Sequence, residues 1–480
     1  MKKESFYITT TLPYVNAPLH MGHALELIRA DTIARYKKLA DYDVYFNSGT
    51  DEHGMKIYER AKEKGIAVQD FVDQGFETFK QQIKMFGVSS DVHLIRTTDK
   101  FHEKAAQELW KRVAENGYIY KKNYQAKYCV GCESEKTDSE LNDKGECDEH
   151  PGKPIQTIEE ENYFFKYSAF GDKLQKFYKE NNDFIIPEFR FNEIKGFVEK
   201  GLQDFSISRL KEKMPWGIPV PDDSTHVMYV WFDALVNYIS TLGWPENEEN
   251  FQKYWVHGNP TQYCGKDNTR FQGAMWQAML MAAGLSNSHR IVVNGFITGE
   301  GGIRMSKTLG NVVDPRDIVN EYGVDALRYF LLREVSSFED SPFTMERFKD
   351  AYNANLANGL GNLASRILTL SEKYLEKCPE IPERSDFSEY FAIYETFDIK
   401  KAMDYIWNEI TKLDEEIQKT EPFKVVKKDL EEGKSLIKTM VLKLYKIARM
   451  LNPVMPETNE KLKKLIRENK KPETPLFARK

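Results

Sequence analysis

Two histidines near the start of the chain stand in a pattern that could bind phosphate. The segment LPYVNAPLHMGHAL places His20 and His23 around Gly22, just before a long helical run. At the start of a helix the unpaired backbone N–H groups and the helix dipole attract anions, and imidazoles can add hydrogen bonds to phosphate oxygens. Gly22 lets the backbone approach a flat ligand. Taken alone, the pattern also fits two solvated histidines that cap a helix.

A basic, glycine-rich segment much later in the chain could complete such a site. GEGGIRMSKTLGN, at 299–311, carries Arg304 and Lys307 after glycines at 299, 301 and 302. A loop of this composition can close over a triphosphate, and lysine supplies a flexible point charge. The segment alone could equally be an exposed basic turn. When this segment is taken together with the histidine pair, and with a sequence pattern that predicts a split parallel sheet, nucleotide binding is favoured.

A cluster of cysteines predicts a metal site. The segment YCVGCESEKTDSELNDKGECDEH contains Cys129-x-x-Cys132 and Cys147-x-x-His150. Two chelating pairs at this spacing suit one tetrahedral zinc with three thiolates and one imidazole. The alternative is thiols in a polar loop, but the segment lacks the apolar residues that would order it without metal. Four protein ligands leave no open coordination position, so the predicted role is structural.

Composition and periodicity predict the elements that position these residues. The 480 residues are too many for one core, and a net charge of -6 argues against polyanion binding over the whole surface. Residues 5–50 have a strand, helix, strand rhythm, which resumes at HVMYVWFDALVNYIS and IVVNGFIT and predicts a parallel sheet completed by remote residues. Apolar stripes after about residue 350 predict an antiparallel helical bundle.

No segment predicts a membrane span or a signal peptide, so we expect a cytosolic protein.

The motifs together resemble one enzyme family. HMGH and RMSKT are similar to the HIGH and KMSKS signatures of class I aminoacyl-tRNA synthetases. The segments TLPYVNAPLHMGHA, GTDEHG, YVWFDALVNY, GKDN, NLASR and LNPVMPE narrow the resemblance to the methionyl-tRNA synthetases. The resemblance covers nearly the whole chain. It implies that the chain activates methionine with ATP and Mg²⁺, forms methionyl-adenylate, and loads initiator and elongator tRNA(Met).

The resemblance also implies a domain organisation. The fold class is α/β: a Rossmann-like parallel-sheet catalytic domain, split by a zinc-containing insertion and followed by an α-helical anticodon-binding domain. We expect the catalytic domain at 1–115 and 226–318, the insertion with its single set of zinc ligands at 116–225, a stem-contact linker at 319–352 and the helical domain at 353–480. Longer relatives carry a further C-terminal domain that binds tRNA or dimerises, and because this sequence ends at Lys480 we expect a monomer.

A methionine pocket follows from the resemblance as well. An unbranched thioether needs apolar and aromatic walls, and a carboxylate must hold the ammonium group. Asp51 is expected to take that role. The implied walls are Leu12, Tyr14, Trp231, Ala234 and Tyr238. Without the resemblance, the aromatic members could be ordinary core residues. Gln272 stands where the family pattern has a histidine, which leaves side-chain selection at that position open.

The resemblance assigns ATP contacts to a further set of residues. Asp267 is expected to accept hydrogen bonds from the ribose hydroxyls. The whole implied set is His20, Gly22, His23, Glu26, Gly265, Asp267, Met305 and Lys307. The catalytic members are His20, His23, Arg304 and Lys307. Arg304 stands where the signature has its first lysine and keeps the positive charge.

An anticodon site is implied in the helical region. NLASR places Asn362 and Arg366 one helical turn apart, where both can hydrogen-bond to single-stranded bases. The resemblance directs them to the methionine anticodon, with Phe423 as a stacking platform where many relatives have tryptophan. The alternative for Asn362 is an amide bonded between two helices.

Two other functions are compatible with parts of the sequence. A relative specific for cysteine would need an open zinc position, and one specific for branched aliphatic amino acids would need a large editing insertion for which the chain has no room. A zinc-containing RNA-binding protein without catalytic activity would not need intact HMGH and RMSKT segments. Pyrophosphate exchange measured with every amino acid separates these hypotheses.

Overall fold

The computed structural model describes residues 3–131, 134–136, 141–148, 150–303, 305, 313–382 and 386–480. Its strands are Ser5–Thr9 (β1), Asp43–Thr50 (β2), His93–Arg96 (β3), Ile119–Cys129 (β4), Ser134–Lys136 (β5), Ile155–Phe165 (β6), Ile185–Ile186 (β7), Phe205–Ser206 (β8), Ser208–Leu210 (β9), Pro219–Val220 (β10), Asp223–Met228 (β11), Thr261–Gly265 (β12), Arg290–Asn294 (β13), Ile297–Thr298 (β14) and Ser341–Pro342 (β15).

The α-helices are Met21–Leu39 (α1), Met55–Lys64 (α2), Val68–Met85 (α3), Lys100–Glu115 (α4), Gly171–Glu180 (α5), Glu188–Glu199 (α6), Val230–Ala234 (α7), Asn237–Ser240 (α8), Glu248–Asn250 (α9), Trp276–Ala282 (α10), Pro315–Tyr322 (α11), Val324–Tyr329 (α12), Met345–Ala351 (α13), Asn362–Tyr374 (α14), Ser388–Tyr394 (α15), Ile399–Thr420 (α16), Pro422–Lys428 (α17), Leu430–Met450 (α18) and Pro456–Glu468 (α19). Within the described residues, π-helical segments are Phe251–Val256, Phe271–Met275, Phe330–Glu334 and Tyr352–Gly361, and 3₁₀ turns are Tyr167–Phe170, Lys266–Asn268 and Glu300–Gly302.

A parallel sheet lies at the centre of the region that the sequence predicts to be catalytic. Its order is β3-β2-β1-β12-β13-β7, and every neighbouring pair is parallel. The prediction that remote residues complete the sheet is confirmed, because β12 pairs directly with β1. Ligands of such sheets bind outside the carboxyl ends of the strands, where the strand order reverses. That position is the end of β1 and β12.

Two strands differ from the sequence-based interpretation. The strand in HVMYVWFDALVNYIS, β11, pairs antiparallel with β9 and β10 in a separate small sheet, and the chain then enters α7 and α8. β7 lies within the predicted insertion at 116–225 but pairs with β13 at the edge of the parallel sheet. The insertion therefore returns once to the catalytic sheet before it ends.

A long antiparallel ladder carries the cysteine segment away from the parallel sheet. β4 and β6 pair from Ile119 and Phe165 at one end to Cys129 and Ile155 at the other. β5 and β8 flank them in a four-stranded sheet. The predicted metal ligands begin at the far end of this ladder.

The helical region follows the predicted apolar stripes. The stripe along α16 is buried and consists of Ile406, Ile410, Leu413 and Ile417. The stripe along α18 and the residue that follows it is also buried and consists of Ile437, Met440, Leu444, Ile447 and Leu451. One hydrophobic core joins these residues to the apolar side of α1, including Ile28 and Ile33. No helix within the described ranges is long and apolar enough to span a bilayer.

Buried ionic contacts also join α1 to the helical region. The guanidinium of Arg328 lies 2.8 Å from the Asp31 carboxylate, and both side chains are fully buried. Nε of Arg328 donates to the backbone oxygen of Val454 at 2.8 Å. Asp325, which lies on α12 with Arg328, accepts hydrogen bonds from the backbone N–H and the hydroxyl of Thr458, both at 2.6 Å. The helix that starts with HMGH is thus packed on one side against the bundle.

Candidate active site

The two histidines of HMGH lie together at the start of α1. Nδ1 of His20 accepts hydrogen bonds from the backbone N–H groups of Gly22 at 3.1 Å and His23 at 3.4 Å. The backbone N–H of His20 donates to Nδ1 of His23 at 3.3 Å, and the two rings stack with centroids 3.7 Å apart. Burial, followed by the neighbouring His20, holds the pKa of His23 well below its usual value. A Cβ at Gly22 would lie 3.0 Å from the His20 ring, so glycine fits this turn.

Glu26 lies one helical turn further along α1. Its carboxylate accepts a hydrogen bond from the backbone N–H of Thr11 at 2.6 Å. Burial raises the pKa of Glu26 to about 8, and the nearby Asp267 carboxylate adds to the shift. Asp267 itself is exposed, in the turn that follows β12. A Cβ at Gly265 would lie 2.6 Å from Oδ1 of Asp267, so a side chain there would crowd this carboxylate. The ATP residues predicted on α1 and after β12 therefore lie close to one another.

The signature loop is described only in part. Arg304 and Lys307 lie outside the described residues. Met305 is half-buried and packs against the large hydrophobic core. Before it, the chain makes a tight turn in which Gly301 has φ 68° and Gly302 has φ 79°, a region that favours glycine.

Two strand ends form one side of the predicted methionine pocket. The backbone N–H of Asp51 donates to the backbone oxygen of Pro13 at 3.0 Å, and Tyr14 pairs with Asp51 as an isolated parallel bridge. Asp51 and Leu12 are buried, while Tyr14 is half-buried. The expected ammonium ligand and two expected wall residues are therefore brought together by the ends of β1 and β2.

The other predicted wall residues lie on two short helices. Trp231 and Ala234 lie on α7, and Tyr238 lies on α8 with its ring fully buried. Phe271 stacks on Trp231, with ring centroids 3.7 Å apart and planes inclined by 7°. Sequence reasoning missed Phe271. The signal was present, because this residue directly precedes Gln272 in GKDNTRFQ.

Gln272 belongs to a buried amide network. Its Oε1 accepts from Nε2 of Gln262 at 3.1 Å, and its Nε2 donates to the hydroxyl of Thr11 at 3.0 Å. Gln262 also accepts a short hydrogen bond from the Ser288 hydroxyl. The oxygen and the nitrogen of the Gln272 amide therefore each form a hydrogen bond with another side chain. One of these partners, Thr11, directly precedes the wall residue Leu12 in the sequence.

Three of the four predicted metal ligands lie together. One ligand atom each of Cys129, Cys147 and His150 falls within 4.8 Å of the others, and both thiols are buried. Cys132 lies outside the described residues. A Cβ at Gly131 would lie 2.3 Å from Cγ of His150, so glycine permits the imidazole to reach the thiols. Two sulfurs and an imidazole are a donor set that suits zinc.

The predicted anticodon residues lie on three helices of the bundle. Asn362, at the start of α14, is exposed. Nη1 of Arg366 donates to Asp414 on α16 at 2.6 Å. The Phe423 side chain, on α17, is 39 % exposed, although it is a large apolar ring.

Comparison with known proteins identifies the family. Residues 6–153 and 145–368 match the family of class I tRNA synthetases designated M. A methionine–tRNA ligase of Caldanaerobacter subterraneus is 42 % identical over 479 residues, spanning 96 % of this chain and 73 % of that protein. The chain belongs to the methionine–tRNA ligases. A relative from Thermotoga maritima is 38 % identical, spanning 97 % of this chain and 76 % of the relative.

Solved structures of methionyl-tRNA synthetases share the fold. The Mycobacterium tuberculosis enzyme in complex with methionyl-adenylate superposes with a TM-score of 0.89 at 37 % identity, covering 96 % of this chain and 93 % of that one. Its free form gives a TM-score of 0.84 at 32 % identity, covering 100 % and 99 %. As a member of the methionine–tRNA ligases, the chain is an aminoacyl-tRNA ligase with an α/β catalytic region and a helical C-terminal region.

Proposed function

We propose that this chain activates methionine with ATP to methionyl-adenylate and transfers methionine to the 3′ end of tRNA(Met), for initiation and elongation. The observation that carries the proposal is the stacked pair His20 and His23 at the start of α1, where the strand order of the parallel sheet reverses. The methionyl-adenylate bound to the Mycobacterium tuberculosis relative supports methionine as the amino acid.

Adenylation is an in-line attack of the methionine carboxylate on the α-phosphorus of ATP, which displaces pyrophosphate. Such transfers need positioning and stabilisation of charge more than a protein nucleophile. We assign His20 and His23 to the phosphates, Asp267 to the ribose, and Arg304 and Lys307 to the leaving pyrophosphate. The neutral form of His23 favoured by burial fits an imidazole that donates one N–H and accepts with the other nitrogen. Mg²⁺ bound with ATP would add charge neutralisation.

Methionine is proposed to bind between the ends of β1 and β2 and the helices α7 and α8. Asp51 takes the ammonium group, and the walls are Leu12, Tyr14, Trp231, Ala234 and Tyr238. Gln272 is proposed to act through Thr11 and Gln262, since its amide is occupied by these two partners. This arrangement keeps the wall beside Leu12 in place.

The remaining assignments concern zinc and tRNA. We propose that Cys129, Cys132, Cys147 and His150 hold one structural zinc at the tip of the inserted domain, and that Asn362, Arg366 and Phe423 contact the anticodon. The proposed domains are 1–115 with 226–318, 116–225, 319–352 and 353–480, with β7 returning to the catalytic sheet. A monomeric state and a cytoplasmic location stay predictions of the sequence.

Amino-acid-dependent exchange of pyrophosphate with ATP tests the proposal directly. Each of the twenty amino acids is supplied separately, and the expected result is exchange with methionine far above all others. Charging of tRNA(Met) transcripts in the same preparation tests the second step. Exchange with a different amino acid, or none with any, would contradict the proposal.

A further inference from the structure

A buried carboxylate joins two histidines behind the proposed methionine pocket. Oδ2 of Asp233 lies 2.7 Å from Nδ1 of His53, and Oδ1 lies 2.8 Å from Nε2 of His102. Nδ1 of His102 lies 2.9 Å from the hydroxyl of Ser240. The side chains of His53, Asp233 and His102 are 6 %, 1 % and 0 % exposed. This row of four side chains is named the His53–Ser240 network below.

The protonation of the network follows from the carboxylate. Burial alone would raise the pKa of Asp233, but the two imidazoles outweigh burial and keep this pKa below its usual value. An ionised carboxylate can only accept hydrogen bonds. His53 therefore donates from Nδ1 and His102 from Nε2, and Nδ1 of His102 is hydrogen-bonded to the Ser240 hydroxyl.

The network joins the segment of the proposed ammonium ligand to the two helices that carry three proposed wall residues. His53 comes two residues after Asp51, the proposed ammonium ligand. Asp233 stands between Trp231 and Ala234 on α7, and Ser240 comes two residues after Tyr238 on α8. These segments are far apart in the chain, since His53 and Asp233 are separated by 180 residues. The neighbouring strand end is tied to Asp51 through Pro13.

We propose that His53 and His102 are positioning residues that set the distance between the ammonium site at Asp51 and the thioether walls on α7 and α8. The proposal rests on the function proposed above. The methionine side chain is unbranched and flexible, so a pocket can select its length only if its two ends are held at a fixed separation. Hydrogen bonds to a buried charge are short and strong enough to provide that restraint.

The two histidines use different ring nitrogens, which makes the proposal testable with amides. An asparagine amide nitrogen falls near the Nδ1 position of a histidine, and a glutamine amide nitrogen falls near Nε2. For His53, which donates from Nδ1, His53→Asn should keep methionine binding within about threefold of the unaltered protein. His53→Gln should raise the KM for methionine roughly tenfold or more, because Asp233 loses a donor.

His102 should show the reverse order, because it donates to Asp233 from Nε2. We expect His102→Gln to keep the KM for methionine close to that of the unaltered protein and His102→Asn to raise it. Exchange kinetics over methionine and ATP concentrations give both KM values, and the KM for ATP should stay unchanged in all four variants. His289→Gln, a change to an exposed histidine of the same catalytic region, is the matched control.

The opposite effects of Asn and Gln at His53 and His102 distinguish a positioning role from a role in folding alone. A structural role alone would lower the amount of active enzyme and leave the KM for methionine unaltered. Equal KM values for Asn and Gln at each position, or a fall in kcat with unchanged KM, would overturn the inference. If His53→Gln does not fold, the His102 pair decides. Absence of methionine-dependent exchange in the unaltered protein would instead overturn the proposed function.

Discussion

His20 caps the helix that carries His23, and the two imidazoles stack with centroids 3.7 Å apart. The His20 ring therefore has a structural task, accepting backbone hydrogen bonds, in addition to its proposed contact with phosphate. Asparagine is among the best helix-capping residues but has no imidazole. A substitution can therefore separate the two tasks.

The first prediction concerns that separation. His20→Asn should leave the free energy of unfolding nearly unchanged, whereas His20→Ala should lose about 1 kcal/mol. Both should slow methionyl-adenylate formation, on the order of a hundredfold, because charge-stabilising donors act mainly in the transition state. Urea unfolding and single-turnover adenylate formation measure the two effects. A full rate in His20→Asn would show that the imidazole acts only as a cap.

Glu26 predicts a pH dependence of stability. The pKa of Glu26 is about 8 in the folded chain, against an ordinary value of 4.5. The folded chain keeps the Glu26 proton to a higher pH than the unfolded chain does, and this difference stabilises the folded chain. The stabilisation is complete below pH 4.5 and is lost as the pH rises through 8. The slope is at most about 1.4 kcal/mol per pH unit.

Glu26→Gln should remove this dependence. Compared with the unaltered protein, the variant should gain relative stability as the pH rises from 5 to 8, measured by urea unfolding at several pH values. Glu59→Gln, at an exposed site on α2, makes the same side-chain change and serves as the control. Parallel stability profiles for Glu26→Gln and the unaltered protein would contradict the prediction.

Lys307 should act on the rate more than on ATP binding. A cation on a glycine-hinged loop can engage as charge develops on pyrophosphate, so its contact is stronger in the transition state. We expect Lys307→Ala to slow adenylate formation roughly a hundred- to a thousandfold, and Arg304→Ala to act in the same direction but less strongly. Single-turnover rates over a range of ATP concentrations check this. A weaker apparent ATP affinity with an unchanged saturated rate would show a ground-state contact.

The anticodon residues should affect tRNA charging without affecting adenylation. Arg366→Ala and Phe423→Ala should reduce the rate of charging roughly ten- to a hundredfold, since stacking of one base contributes about 1–3 kcal/mol. Methionine-dependent pyrophosphate exchange should stay near the level of the unaltered protein. Lys427→Ala, at an exposed site on the helix that carries Phe423, is the control. Equal losses in both assays would mean that these side chains maintain the fold.

The cysteine cluster predicts a dependence on metal. Elemental analysis should find about one zinc per chain, and Cys147→Ala should lose it and make the inserted domain sensitive to proteases, because the thiolates stabilise the fold only with metal bound. Cys378→Ala, outside the cluster, should keep the zinc. A zinc-free preparation with full activity and protease resistance would contradict this prediction.

The parts of the site that could be predicted from the sequence were those with local patterns. The helix after HMGH, the buried stripes of α16 and α18 and the spacing of Cys129, Cys147 and His150 each show within a short stretch of chain. β7 has two residues, too few for a periodicity, and the direction in which β11 pairs is not contained in its alternation.

The networks behind the pocket could not be predicted for a different reason. Gln272 bonds to Thr11, which lies 261 residues away, so its environment depends on how the sheet is assembled. The hydrogen bond from His53 to Asp233 likewise joins segments that share no local pattern. The sequence therefore offered candidates for residues that contact the ligand but no sign of the residues that hold those candidates in place.

The hydrogen bonds that join Arg328 to Val454 and Asp325 to Thr458 limit how this chain can be divided. A fragment ending near residue 350 would lack Val454 and Thr458, so Arg328 would lose a buried acceptor and Asp325 two donors. A hydrogen bond to a charged group contributes about 1.5–3 kcal/mol, so losing several of them removes a large part of the stability of a typical domain. The stability of the α12 segment therefore depends on the helical region, and a transplanted helical region would need to reproduce this acceptor and these donors.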